Sequence, residues 1–238
     1  MPRHPRSPAR VAGALVLWTA LSLAGAAACH RPVAARAAPP VNTGDLPIAS
    51  TAAAESLLTD VRALDSTIVV DLRYATANNF TGAPLPGYDA NRALLRREAA
   101  RALAAVQRRL SADGLGLKIW DAYRPVRATL AMVDWARRAG REDLLRDGYI
   151  ASRSRHNLGV AVDLTLVDRR TGAELDMGTP FDTFSPAAHT ANAVGEAARN
   201  RERLKAAMER EGFVNYDQEW WHFTYDVKDP VRFDVVIR

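Results

Sequence analysis

The chain has 238 residues, 48% of them apolar and 25% charged, with a formal net charge of +5 and a single cysteine. That length suits one domain with appendages, and the composition excludes whole-chain disorder and a polytopic membrane protein. Arg3, Arg6 and Arg10 carry +3 of the charge and the residues from Ser56 onward only +2, so the body lacks the basic stripe of a nucleic-acid binder, and one cysteine makes neither an internal disulfide nor a Cys-based zinc site.

Arg3, Arg6 and Arg10 precede an uncharged apolar run from Val11 to Ala28 that ends in small residues. This is the layout of an export signal over residues 1–28; a transmembrane anchor is the competing reading. Ala26-Ala27-Ala28-Cys29 is similar to a bacterial lipoprotein box, in which Cys29 would carry lipid and anchor the chain to a membrane. The alternative is an ordinary signal cleaved near Ala28, with Cys29 incidental. Either way the chain is expected to be exported, to the periplasm or cell envelope. Residues 29–56, rich in Ala and Pro without apolar periodicity, read as a flexible tether, and residues 57–238 as the domain.

Within the domain, Ile68 to Leu72 reads as a strand and Thr81 to Asp89 as a turn-rich loop. Asn91 is placed to cap a helix with apolar positions from Leu94 to Leu110, ending near Gly114. Leu117 to Trp120 reads as a strand, and Pro125 opens a helix running to Ala139. Val160 to Val167 is the next strand, followed by a helix from Asn192 to Glu211 stopped at Gly212. Phe213–Tyr216, Trp220–Tyr225 and Phe233–Ile237 supply the last strands. The irregular alternation, with hairpin-like spacing at the end, predicts a single α+β domain with a mainly antiparallel central sheet and flanking helices.

His4 and His30 fall in the signal and tether, leaving His156, His189 and His222 of the five histidines. Ser154 to Asp163 places His156 in a Gly-containing turn and Asp163 inside an apolar strand, where a carboxylate is costly unless paired or bound to a cation. Glu219-Trp220-Trp221-His222 sets a second His and a Glu within aromatic residues. Two His and one carboxylate around an open fourth position form a catalytic zinc set, and a further Glu beside it can take a proton from the attacking water. Glu219 and His222 are three apart, so on an ideal strand they would face opposite ways; sharing one site requires a bulge or turn. In Trp120 to Pro125, Arg124 stands where a strand gives way to a Pro-led helix and can be aimed into a cleft to stabilise an oxyanion. The plainer reading of Arg124 is a surface partner of Asp121.

These three segments resemble the signatures of the M15 family of zinc peptidases, in particular its D-alanyl-D-alanine dipeptidase (VanX-type) branch. The likeness extends through Arg73-Tyr74-Ala75-Thr76, Asn79 to Gly82, Gly87-Tyr88, Asn91-Arg92, Asp163 to Leu166, Met177-Gly178 and Phe181-Asp182, covering the domain from about Leu64 onward. The resemblance implies a Hedgehog/DD-peptidase-like fold and one Zn2+ per chain held by His156, Asp163 and His222. It further implies that Glu219 acts as general base and then proton donor, and that Arg124 stabilises the tetrahedral intermediate. Asp182 and Tyr74 would bind the free ammonium of a small D,D-dipeptide, and Ser154 would orient substrate or the metal shell. His189 receives no role. The implied reaction is hydrolysis of D-alanyl-D-alanine to two D-alanines in cell-wall peptide turnover. The alternatives are a D,D- or L,D-carboxypeptidase trimming peptidoglycan stems, and a non-catalytic, metal-bound cell-wall binding module.

Overall fold

The computed structural model describes residues 46–238; the expected signal, the Cys29 box and the tether as far as residue 45 lie outside them. The chain enters through a short helix α1 (Thr51–Leu57), capped by Ser50, whose side chain accepts a hydrogen bond from Ala53 N. It continues through β1 (Leu58–Asp60), β2 (Val69–Val70) and β3 (Leu94–Arg96) into helix α2 (Arg97–Ser111) and strand β4 (Leu115–Asp121). Helices α3 (Val126–Arg138) and α4 (Glu142–Arg146) follow, then β5 (Ala161–Asp168), helix α5 (Gly195–Arg210), β6 (Phe213–Tyr216) and β7 (Glu219–Tyr225).

The main sheet has five strands in the order β2-β4-β5-β7-β6. Only the β2–β4 pair is parallel; the other three are antiparallel. Strand β5 is buried at every position but its last, as expected of a central strand covered on both faces. Helix α2 buries Ala99, Leu103, Val106 and Leu110 at helical spacing, and packs with α5 against the sheet. Strands β1 and β3 form a separate antiparallel pair. The α+β class and the mainly antiparallel sheet are thus as expected.

Four boundaries differ, each for a tertiary reason. Residues 51–56, expected to be tether, form α1 and bury Ala54. Asn91 caps no helix: its side-chain amide accepts from Leu72 N at 2.8 Å and donates to Val70 O at 2.9 Å, lacing its loop to β2. Leu94 and Leu95 pair with β1 instead of opening the helix, which starts at Arg97. The alternating apolar pattern of Phe233 to Ile237 does not form a ladder strand. Its groups bond to several partners, Phe233 N to Asn157 O and Ile237 N to Gly87 O, so it crosses the domain as a strap pinned by buried Phe233 and Ile237.

Candidate active site

Three adjacent strands meet at the site. Asp163, on central strand β5, stands opposite Asp121 on β4 and opposite His222 on β7. Between Ile119 and Asp121 strand β4 gains a residue relative to β5, a bulge that re-aims the side chains that follow. His156 arrives from outside the sheet, on a single 3-10 turn over Arg155–Leu158. Ser154 Oγ accepts the His156 amide at 3.2 Å, and Gly159, with φ of 65°, closes the turn in the left-handed conformation.

His156 Nε2, His222 Nδ1 and Asp163 Oδ1 form a triangle with sides of 3.1, 2.8 and 3.4 Å. Ligand atoms about 2.05 Å from a tetrahedral metal lie about 3.3 Å apart, so the triangle has the dimensions of three vertices around one ion. Among the described residues it is the only group of three His, Cys, Asp or Glu side chains that close together. The proton placement also fits. Ala122 O lies 2.6 Å from His156 Nδ1; a carbonyl only accepts, so Nδ1 carries the hydrogen and Nε2 keeps its lone pair for a cation. Burial lowers the His222 pKa, favouring the neutral, ligating imidazole. Burial alone would raise Asp163, but the two imidazoles outweigh it and hold that carboxyl well below its usual range. The donor set suits zinc, and these are the residues that would hold it.

Around the triangle, Glu219 Oε2 lies 4.0 Å from His222 Nδ1. Burial, and then the charges of Asp163 and Asp182, push the Glu219 carboxyl well above the usual carboxylate range, against the pull of Arg124. Arg124 is nearly buried; its Nε and Nη2 donate to Asp121 Oδ2 at 2.9 and 2.7 Å, and Nη2 comes within 3.8 Å of Asp163 Oδ2. The expected partner of Arg124 is therefore present, but as a fully buried clamp behind the cleft instead of a surface pair. Asp121 also accepts from Tyr88 OH at 2.6 Å and from Ala122 N at 2.9 Å.

Opposite, the Tyr74 hydroxyl shares its proton between Asp182 Oδ1 and Oδ2 at 3.1 and 3.2 Å. Asp182 is the only non-glycine with positive φ among the described residues, at 58°. That geometry is uncommon for a residue with a Cβ, and marks a carboxylate held in place by its surroundings. Burial and the charge of Asp163 push it up to about 8. All eight sequence-predicted site residues line one cavity of about 220 Å3, below the roughly 300–1,000 Å3 of drug-sized pockets. Its remaining wall includes Phe80, Met132, Tyr149, Phe184 and Trp221. His189 stays outside the triangle, with Nε2 3.2 Å from Tyr149 OH. Sequence reasoning missed the buried role of Asp121 and the contribution of Tyr88; the Gly87-Tyr88 pair was the available signal, without a hint of its partner.

Two imidazoles and a carboxylate at metal-ligand spacing, with a buried glutamate beside them and a guanidinium in the cleft wall, define a single-metal hydrolytic site on an α+β scaffold. The family model for Peptidase M15, described as D-ala-D-ala dipeptidase, matches residues 54–231. A D-alanyl-D-alanine dipeptidase of Enterococcus faecium is 38% identical, over 64% of this chain and 83% of the relative. One of Streptomyces coelicolor is 39% identical over 65% and 84%, and one of Escherichia coli 37% over 70% and 83%. The chain belongs to the M15 D-Ala-D-Ala dipeptidase family of metallopeptidases. M15 peptidases are zinc-dependent.

Proposed function

We propose that the protein hydrolyses D-alanyl-D-alanine to two D-alanines, with one Zn2+ held by His156 Nε2, His222 Nδ1 and Asp163 Oδ1. The observation that carries this reading is the pairing of a metal-sized donor triangle with the Tyr74–Asp182 carboxylate in one small cavity. Zinc in that seat supplies Lewis acidity, which polarises a peptide carbonyl and lowers the pKa of water. Glu219 takes the proton of the attacking water as its oxygen bonds to the carbonyl carbon. Its place beside the triangle suits it both to accept that proton and to deliver it to the leaving amine nitrogen as the C–N bond breaks. Arg124, fixed by Asp121, donates to the oxyanion that forms meanwhile. Ser154 orients the His156 turn by accepting its amide.

Asp182 and Tyr74 receive the substrate ammonium. A cation there relieves the burial cost that keeps the carboxyl protonated, so the substrate's free amine is recognised by what the empty pocket lacks. An acylated amine brings no charge, so it leaves the cost of ionising the buried Asp182 carboxyl unrelieved. That favours a dipeptidase over a carboxypeptidase open to longer chains. The presence of Glu219 and Arg124 beside the triangle speaks for an enzyme over a binding module. We also place the protein outside the cytoplasm, exported by its first 28 residues and either free or held through lipid on Cys29, where its substrate would be a dipeptide released near the cell wall.

The test is D-alanine release from D-Ala-D-Ala beside N-acetyl-D-Ala-D-Ala, with and without a chelator. Turnover of the free dipeptide alone, abolished by chelation and restored by zinc, is expected. Equal turnover of both would transfer the protein to the carboxypeptidases. Retention on cell-wall sacculi without release of D-alanine from either would make it a binding module.

A further inference from the structure

Glu219 and His222 face the same cavity although they are three residues apart on a strand. The cause lies in the β6–β7 register. Tyr216 pairs with Glu219, and the next residue back, Asn215, pairs with Phe223. One step on β6 is therefore matched by four on β7, leaving Trp220, Trp221 and His222 without a partner on β6. Extra unpaired residues bend a strand and redirect its side chains, which brings the glutamate and the histidine to one face.

The bulge is spanned by one side chain. Asn215 Nδ2 donates to Glu219 O at 3.2 Å and to His222 O at 3.0 Å, while its Oδ1 accepts the Thr190 hydroxyl at 2.6 Å. Thr190 N in turn donates to Asp217 O at 2.8 Å, fastening the turn between β6 and β7. The amide hydrogens go to the backbones of two functional residues, and the amide oxygen accepts from a hydroxyl. Two carbonyls facing one nitrogen set the orientation of the side chain.

We propose that Asn215 is a positioning residue, holding Glu219 and His222 at a fixed separation by tying their carbonyls to one amide group, with Thr190 locking that amide. The side chain touches neither metal nor substrate; it acts through the backbone of the two residues that do. Its effect on turnover rests on the roles proposed above for Glu219 and the zinc site, whereas its effect on the donor triangle does not.

Asn215→Asp keeps the shape and replaces both donor hydrogens by an acceptor facing two carbonyls. The expected result is a kcat lower by about 100-fold with KM changed less than about threefold, and Zn2+ affinity by chelator competition weakened by about 10- to 100-fold. The visible spectrum of the Co2+-substituted protein should change as well, a signature that general loosening of the fold leaves alone. Thr190→Val, a milder change at the far end of the relay, should lower kcat by about three- to tenfold while the protein still unfolds cooperatively. Where Asn215→Asp does not fold, this second variant decides. A folded Asn215→Asp, or failing it a Thr190→Val, with kcat, zinc affinity and Co2+ spectrum all within twofold of the parent overturns the proposal. A changed spectrum and affinity in a protein whose parent lacks dipeptidase activity would uphold the positioning role and remove only the activity assigned to the site.

Discussion

Glu219 and Asp182 are both carboxyls raised by burial and by Asp163, yet they answer to different neighbours. Glu219 stands 4.0 Å from His222 Nδ1 and, in the function proposed above, serves the reacting water; Asp182 stands under Tyr74 and there serves the substrate's amine. Glu219→Ala removes a carboxyl that is not one of the three donors and leaves the donor triangle intact. It should retain one zinc per chain by metal analysis while kcat falls about 10³-fold; near-normal turnover would displace Glu219 as the base. Asp182→Asn should reduce kcat/KM for D-Ala-D-Ala by at least about tenfold relative to N-acetyl-D-Ala-D-Ala. It should also reveal a stability cost that serves binding. The carboxyl titrates at about 8 in the folded metal-free protein against 3.8 ordinarily, so the folded state holds the extra proton between those values. Its stability is full below about pH 4 and is lost as pH rises toward 8. The Asn variant escapes that loss, and thermal melts of the metal-free proteins should show a larger gain at pH 8 than at pH 5.

At the level of elements, the site depends on departures from regular structure: a bulge in β4, a larger one between β6 and β7, and a capped 3-10 turn that delivers His156. The sequence disclosed the residue types because their cost is local. Asp163 between Val162 and Leu164, or His222 beside two tryptophans, is conspicuous wherever the strand lies. It also showed that Glu219 and His222 needed an irregular backbone to meet, without showing what holds the irregularity. Asn215 is four residues from Glu219 and seven from His222, on another strand, and carries no pattern of its own. The misplaced start of α2 has the same origin: Leu94 and Leu95 suit a helix face, and only pairing with β1, together with the Arg96 N to Gly159 O bond of 2.7 Å, makes them a strand. Gly159 joins these two regions. A Cβ there would lie 2.5 Å from Leu58 Cδ2, at a φ of 65° that side chains rarely adopt. Leu58 can move its methyl group; the backbone cannot easily change its sign of φ. Gly159→Ala should cost about 1–3 kcal/mol in urea unfolding with unchanged m, and weaken zinc binding by tilting the His156 turn.

For the molecule as a whole, the domain begins earlier than its chemistry. Ser50 caps α1, Ala54 and Leu58 are buried, and β1 pairs with β3 from Leu58↔Arg96 to Asp60↔Leu94. Arg96 in turn bonds to Gly159 O, and Leu58 packs against Gly159, so this N-terminal segment forms the wall behind the turn that carries His156. A chain starting at residue 46 keeps all of these contacts. It should melt within about 2 °C of the full chain and hydrolyse D-Ala-D-Ala at the same rate. A chain starting at Val61 loses α1, β1 and the ladder that holds β3. Loss of one buried leucine costs about 2–5 kcal/mol, and here the exposed edge of β3 is added to it, against a total stability of about 5–15 kcal/mol for a domain. The melting temperature should fall by about 10 °C or more, and zinc affinity should fall with it because the His156 turn loses its support. Both are checked on the same purified proteins by thermal melts and chelator competition. If the chain from Val61 bound zinc as tightly as the chain from residue 46, the N-terminal segment would be packing alone, and the wall behind His156 would have to be sought in Phe233 and the C-terminal strap.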